Sequence, residues 1–140
     1  MGNLECAIQI ALKAHRGMKD KGGVPYILHP LRVMLQMDTD LERIVAVLHD
    51  VVEDSTWTLD CLREEGFSDK VVEALDCLSK RDGEDYDDFV ERVRMNPLAV
   101  AVKIADLQDN LDVSRLPGLT DEDKARIRKY EKALSTLTGS

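Results

Sequence analysis

Residues 97–111 place the strongest constraint on how this chain can fold. The stretch LAVAVKIADLQDNL follows Asn96-Pro97, a pair that suits the start of a helix, and it is apolar on nearly every side. Such a helix belongs in the interior of a helical protein, because no face of it is polar enough to be left in water. The sequence therefore predicts a central, buried helix with the other helices packed around it.

The rest of the chain also reads as helices. Aromatic residues are only 4% of the 140 residues, so the core is expected to be aliphatic. Asn3 and Ser68 suit helix N-caps, TDED at 120–123 is typical of a capping box, and Pro117 with Gly118 ends the central helical region. We predict an all-α helical bundle of about eight helices, forming a single domain over 1–140. The apolar residues expected on the buried face of the first helix are Leu4, Ile8, Ala11 and Leu12.

Charge and composition exclude several classes of function. The formal net charge is −8 with a pI of about 4.9, which disfavours binding to nucleic-acid backbone or anionic membranes. The cysteines Cys6, Cys61 and Cys77 form no CxxC pair, and the N-terminus lacks the basic region of a signal peptide. We expect a cytoplasmic protein with a small-molecule partner and neither nucleic acid nor membrane, and a homo-oligomer is compatible with the sequence.

The segment HDVVED, at 49–54, places polar groups in the next apolar helix. Residues four apart share one side of a helix, so His49 is expected over Glu53 and Asp50 over Asp54. Imidazole and carboxylate groups are ligands for Mn²⁺, Fe²⁺, Co²⁺ or Zn²⁺, although a His-Asp pair alone cannot complete a coordination shell. On spacing alone, a metal site and a solvated last helical turn are equally good interpretations.

Polar residues on the central helix favour the metal site. Lys103, Asp106 and Asn110 fall at i, i+3 and i+7, which is one stripe of the helix. A buried carboxylate costs several kcal/mol unless it is paired or bound to a metal. The alternative is that Lys103 and Asp106 pair with each other on a half-exposed face.

Histidines supply the remaining candidates. His29, in YILHP, is expected at the N-cap of a helix that Pro30 begins. A lone histidine at a cap is more often structural, but beside His-Asp and a buried aspartate it provides the second imidazole of a two-His, two-Asp site. His15 is interpreted as structural or supporting.

The motifs YILHP, HDVVED and KIADLQDN, in this order, resemble those of the hydrolase domain of the RelA/SpoT family. The likeness runs from about residue 5 to 115 and is nearest to the small stand-alone alarmone hydrolases. It implies an HD-domain phosphohydrolase that removes the 3′-pyrophosphate from (p)ppGpp. The chain ends where larger family members begin a synthetase domain, so alarmone synthesis is not expected.

The resemblance also implies roles for individual residues. Glu53 and Asp54 match the acidic pair that positions and deprotonates the attacking water, and Asn110 matches a residue that helps hold the nucleotide. The implied cofactor is one divalent metal, typically Mn²⁺. Its implied ligands are His29, His49, Asp50 and Asp106.

The substrate pocket departs from the family pattern. Met18-Lys19 stands where the family usually has an Arg-Lys pair around the guanine base, and lysine cannot stack as guanidinium does. Asp109 replaces a frequent histidine. These changes leave two alternatives: the same chemistry on a different nucleotide, or a catalytically inactive nucleotide-sensing module. The predicted substrate-binding residues are Lys19, Lys21, Tyr26, Lys80, Tyr86, Lys103 and Asn110, of which Lys80 and Tyr86 suit a solvated loop equally well.

Overall fold

The computed structural model describes residues 2–114, 116 and 118–139, and this part of the chain is helical without an extended strand. An isolated bridge between Lys19 and Pro25 closes the loop that joins the first two helices. Pro117, predicted to help end the central region, lies outside the described residues. The helices are α1 (Leu4–Ala14), α2 (Leu28–Leu35), α3 (Asp40–Leu48), α4 (Val51–Asp54), α5 (Leu59–Glu64), α6 (Asp69–Leu78), α7 (Tyr86–Arg94), α8 (Pro97–Asn110) and α9 (Asp121–Thr138). The predicted all-α class is confirmed.

Helices begin where the sequence offers side-chain caps. The Asn3 side chain accepts a hydrogen bond from the Cys6 amide at 2.8 Å, and Ser68 does the same for Val71 at 3.4 Å. Thr120 forms the predicted capping box at the start of α9. Each of these predicted helix starts is therefore confirmed.

The apolar helix α8 is central, as predicted. It packs against α2, α3, α6, α7 and α9. α3 is fully buried from Val45 to Leu48. This aliphatic packing holds the C-terminal end of α3 against the core, next to α8.

The predicted stripe on α1 is wrong at Leu12, which is 46% exposed. The helix instead buries Ala7, Ile10 and Ala11 against α3. Leu12 follows Ala11 directly, so it lies about 100° further around the helix and leaves the packed face. None of the described helices combines the length and apolar character needed to cross a membrane.

Candidate active site

HDVVED does not continue α3 as one helix, contrary to the prediction. α3 ends at Leu48 and α4 begins at Val51, so His49 and Asp50 occupy the turn between them. Leu48 and Val51 are fully buried on either side and hold this turn against the core. The turn directs both polar side chains to one place, since His49 Nε2 lies 3.1 Å from Asp50 Oδ2.

Asp106 of α8 meets the imidazoles of His29 and His49. Its Oδ1 lies 2.9 Å from His29 Nε2 and 3.3 Å from His49 Nε2. His29 Nε2 is also 3.7 Å from Asp50 Oδ2. The three residues His29, His49 and Asp106 are each at most 5% exposed. The four predicted ligand side chains thus form one group, buried except for the partly exposed Asp50, which we call the His-Asp cluster: His29, His49, Asp50 and Asp106.

The other nitrogen of each imidazole already has a partner. His49 Nδ1 lies 2.5 Å from the Ala46 carbonyl oxygen, which can only accept, so Nδ1 carries a proton. His29 Nδ1 lies 2.6 Å from Asp109 Oδ2. Both Nε2 atoms are therefore turned toward the cluster, as ligation through Nε2 requires.

The donor set of the His-Asp cluster fits a divalent metal. Ligand atoms of His29, His49 and Asp50 all lie within 4.8 Å of one another. Asp106 is outside that closest group, but its Oδ1 contacts both imidazoles. Two imidazole nitrogens and carboxylate oxygens suit a first-row transition ion, including Mn²⁺ and Zn²⁺.

The predicted N-cap position of His29 is wrong. α2 begins at Leu28, with Ile27 as its N-cap, so His29 lies inside the first turn. The turn starts upstream of Pro30 because the amide of His29 already bonds to the Tyr26 carbonyl. The side chain is consequently buried rather than at an exposed helix end.

Lys103 and Asp106 do pair, but not on a half-exposed face. Lys103 Nζ lies 2.9 Å from Asp106 Oδ2, and the side chains are 12% and 6% exposed. The ammonium group also lies 5.2 Å from the centre of the Phe89 ring. Asn110 donates to Asp106 Oδ1 at 3.0 Å, so both polar neighbours on the α8 stripe converge on one carboxylate.

Charges in the cluster shift the pKa values strongly. Burial alone lowers the pKa of His49, but attraction to Asp50 and Asp106 outweighs it and raises that pKa well above 6.5. Burial likewise opposes ionisation of Asp50, yet His49 brings its pKa down to about 2. The ionised carboxylates that favour imidazolium charges on His29 and His49 also favour a divalent cation.

The acidic pair Glu53 and Asp54 lies at the exposed mouth of the site. The Lys80 amide donates to Glu53 Oε1 at 2.5 Å, which ties this carboxylate to the loop before α7. Burial, with repulsion from Asp50 and Glu53, raises the pKa of Asp54 to about 6. A carboxylate with a pKa near neutrality is suited to accept a proton at physiological pH.

A cleft of two compartments surrounds the cluster. The inner one, of about 360 Å³, includes Lys80, Tyr86 and Lys103 in its lining. The outer one, of about 460 Å³, includes Lys19 and Lys21 from the loop before α2. Tyr26 and Asn110 line both. All seven predicted substrate-binding residues therefore border this cleft, whereas their contact with a nucleotide stays a prediction.

Tyr26 connects the loop to the cluster. Its hydroxyl donates to Asp50 Oδ2 at 2.5 Å. Its ring centre lies 5.0 Å from that of His15 and 5.7 Å from that of His29. Burial lowers the pKa of His15, and the structural or supporting role of this residue stays a prediction.

Sequence reasoning missed a set of side chains from α9. Arg126 lines the outer compartment, Lys129 the inner one, and Tyr130 both. Lys129 Nζ lies 4.5 Å from the centre of the Tyr86 ring. Burial, followed by repulsion from Lys103 and Arg126, lowers the pKa of Lys129. Their i, i+3, i+4 spacing beside the apolar face of α9 is the signal that could have identified them.

Comparisons with known proteins give relatives named as hydrolases and relatives named as pyrophosphokinases. A guanosine-3′,5′-bis(diphosphate) 3′-pyrophosphohydrolase of Haemophilus influenzae is 36% identical over 135 residues, which cover 86% of this chain and 20% of that protein. A GTP pyrophosphokinase of Streptomyces coelicolor is 34% identical over 137 residues, covering 88% of this chain and 16% of that protein. The chain thus spans a fifth or less of these relatives' length. No family model matches.

A solved structure shares the fold. It is described as a metazoan ortholog of SpoT that hydrolyses ppGpp and plays a role in starvation responses. The TM-score is 0.78 at 21% sequence identity, and the match covers 96% of this chain and 84% of that one. At this identity the likeness carries the helical architecture, and the chemistry must be argued from the residues of the cleft.

Proposed function

We propose that this chain, a member of the RelA/SpoT-type HD-domain family, removes the 3′-pyrophosphate from (p)ppGpp by metal-dependent hydrolysis. The observation that carries the proposal is the His-Asp cluster, in which both imidazole Nε2 atoms contact Asp106, itself a lining residue of the inner compartment. Relatives carry the names of both a hydrolase and a pyrophosphokinase. The cluster favours hydrolysis, because its donors suit a metal that activates water.

His29, His49, Asp50 and Asp106 would hold one divalent ion, with Mn²⁺ as the first choice. When bound, the ion supplies a Lewis acid for a phosphoryl oxygen and lowers the pKa of a water molecule. Burial and the fixed Nδ1 partners keep the two imidazoles in place before the ion arrives. Little rearrangement of these side chains is then needed on binding.

Glu53 and Asp54 would position the attacking water and take its proton. The Lys80 amide holds one oxygen of Glu53, which fixes the direction of that carboxylate. The pKa of Asp54, about 6, leaves it ionised at neutral pH but basic enough to share a proton. Hydrolysis of ppGpp in this arrangement gives pyrophosphate and GDP.

Lys103 and Lys129 would neutralise the pyrophosphate group. Both ammonium groups border the inner compartment, with Lys80 at its edge. The three ammonium groups stand beside the carboxylates of Asp50, Glu53, Asp54 and Asp106, so the compartment suits a strongly anionic ligand once a divalent cation offsets part of this negative charge. The nucleoside would then extend into the outer compartment toward Lys19, Lys21 and Arg126.

The test is a product assay on the purified chain with Mn²⁺. It offers ppGpp, pppGpp, other 3′- and 5′-phosphorylated nucleotides and a simple phosphodiester, with Asp106→Asn as the inactive control. Equal amounts of pyrophosphate and GDP from ppGpp, abolished by chelator, support the proposal. Metal-dependent turnover of another nucleotide alone would refute the substrate, and nucleotide binding without turnover would indicate a sensor. Formation of pppGpp and AMP from GTP and ATP would show that the chain synthesises the alarmone instead of hydrolysing it.

A further inference from the structure

Behind the His-Asp cluster lies a second set of contacts, which we call the α2–α8 clamp: His29, Arg32 and Asp109. Arg32 donates to Asp109 through Nε at 2.7 Å to Oδ1 and through Nη2 at 2.9 Å to Oδ2. Asp109 Oδ2 lies 2.6 Å from His29 Nδ1. One carboxylate therefore receives a two-pronged guanidinium and an imidazole, a geometry that fixes its orientation.

Helix periodicity places the clamp directly behind the cluster. His29 and Arg32 are three residues apart on α2, and Asp106 and Asp109 are three apart on α8. α8 thus contributes Asp106 to the cluster and Asp109 to the clamp, while on α2 His29 belongs to both and Arg32 to the clamp alone. Asp109 is only 13% exposed, whereas Arg32 is 32% exposed and reaches it from the protein surface.

The side of the imidazole that Asp109 occupies decides its role. It contacts Nδ1, while Asp106 contacts Nε2 of the same ring. The two nitrogens point away from each other, so Asp109 faces away from the cluster and is not one of its ligands. For His49 the corresponding Nδ1 partner is the backbone carbonyl of Ala46. For His29 the Nδ1 partner is the side chain of Asp109.

We propose that Asp109, held by Arg32, is the positioning residue that keeps the Nδ1 proton on His29 and presents its Nε2 to the metal. This inference rests on the proposed metal site. A carboxylate on the far nitrogen fixes the tautomer and makes the ligating nitrogen more basic, and losing such a partner typically weakens metal affinity about 10–100-fold. Arg32 acts one step further out, because it orients Asp109 and balances its charge.

The competing explanation is that the clamp only ties α2 to α8. It predicts that removal of Asp109 lowers the stability of the metal-free protein and leaves the intrinsic affinity for metal unchanged. The proposal predicts a change in that affinity. The two explanations are separated by measuring Mn²⁺ dissociation constants and metal-free unfolding midpoints on the same variants.

The experiment uses Mn²⁺ titration by calorimetry or chelator competition on the full chain. Asp109→Ala is expected to weaken Mn²⁺ binding about 10–100-fold, and Arg32→Ala by a smaller factor. Asp109→Asn keeps the size of the side chain and guards against loss of folding; it is expected to weaken binding less than Asp109→Ala. Asp87→Ala, which removes an exposed ion pair between α7 and α9, is the matched control and should leave the Mn²⁺ affinity unchanged.

A double variant tests whether Arg32 acts on His29 only through Asp109. Adding Arg32→Ala to Asp109→Ala should cost no further Mn²⁺ affinity, because Arg32 acts through Asp109. Unchanged Mn²⁺ affinity in both Asp109 variants, or fully additive losses in the double variant, would overturn the proposal. If the unmodified chain binds no Mn²⁺, the clamp and the proposed function fail together. If it binds Mn²⁺ but leaves ppGpp intact, the reaction fails, and loss of affinity in Asp109→Ala still supports the clamp.

Discussion

Replacing Asp106 by alanine tests how the buried charges of the site are balanced. The change removes the partner of Lys103 and the contact of both imidazoles. The imidazoles can respond by losing a proton, but the Lys103 ammonium remains in a largely buried position. Loss of one partner of a buried ion pair costs about 3–5 kcal/mol of unfolding free energy, because the other charge is left uncompensated.

A surface pair offers an unusually close control. Glu91 and Arg94 are also three residues apart on a helix and lie 2.9 Å apart, but their side chains are 55% and 53% exposed. Exposed pairs contribute about 0–1 kcal/mol. Glu91→Ala should therefore be nearly neutral although its spacing and distance match those of Lys103 and Asp106.

The assay is urea unfolding of the chelator-treated protein. With an m-value of about 2 kcal/mol per M, Asp106→Ala should lower the midpoint by about 1.5–2.5 M. Adding Lys103→Met should recover much of this loss, because it removes the stranded charge. A midpoint within about 0.3 M of the wild type for Asp106→Ala, or no recovery in the double variant, would show that Lys103 is not left as an uncompensated buried charge.

Three further predictions concern catalysis, substrate binding and pH. Glu53→Gln should keep Mn²⁺ affinity and lower kcat by about 10²–10⁴-fold; an unchanged kcat would contradict the assigned role. Lys129→Ala should raise KM for ppGpp about 10-fold. Lys132→Ala, which changes a side chain that is 71% exposed, should leave KM unchanged. Equal KM values for both variants would disprove the inner phosphate site. Burial lowers the pKa values of His29 and His49, but nearby carboxylates outweigh it and raise both above 6.5. For His29 these are Asp106 and Asp109, and for His49 they are Asp50 and Asp106. The resulting stabilisation of the metal-free protein is present below pH 6.5 and is lost as the pH rises through the raised pKa values. The Mn²⁺ affinity should instead rise with pH, because the ion displaces these protons. Profiles of Tm and Kd against pH without these opposite trends would contradict the assignment.

Much of the architecture could be predicted from local signals. The caps at Asn3, Ser68 and Thr120 and the apolar character of α8 depend on neighbours within a few residues, so the sequence alone identifies them. The break at His49–Asp50 could not be predicted in this way. It follows from how buried residues on both sides pack in the assembled core.

The residues of the site are likewise divided between those that local motifs predict and those that only tertiary packing brings together. His29, His49, Asp50 and Asp106 form one cluster as the motifs predict, since α2, α3 and α8 all meet in the core. The sequence identifies Asp109 only as a replacement for a frequent histidine, because its partner Arg32 lies 77 residues away in sequence. Lys129 was overlooked because α9 reaches the cleft only through tertiary packing.

The most direct test of the metal-dependent site is a stoichiometric metal titration of activity. Metal-free protein, at a concentration well above the Mn²⁺ dissociation constant, would receive increasing Mn²⁺ while pyrophosphate release from ppGpp is followed. The account predicts a rate that rises linearly and reaches a plateau at one Mn²⁺ per chain. Pyrophosphate release at full rate before any Mn²⁺ is added, or no release at any Mn²⁺ concentration, would contradict it.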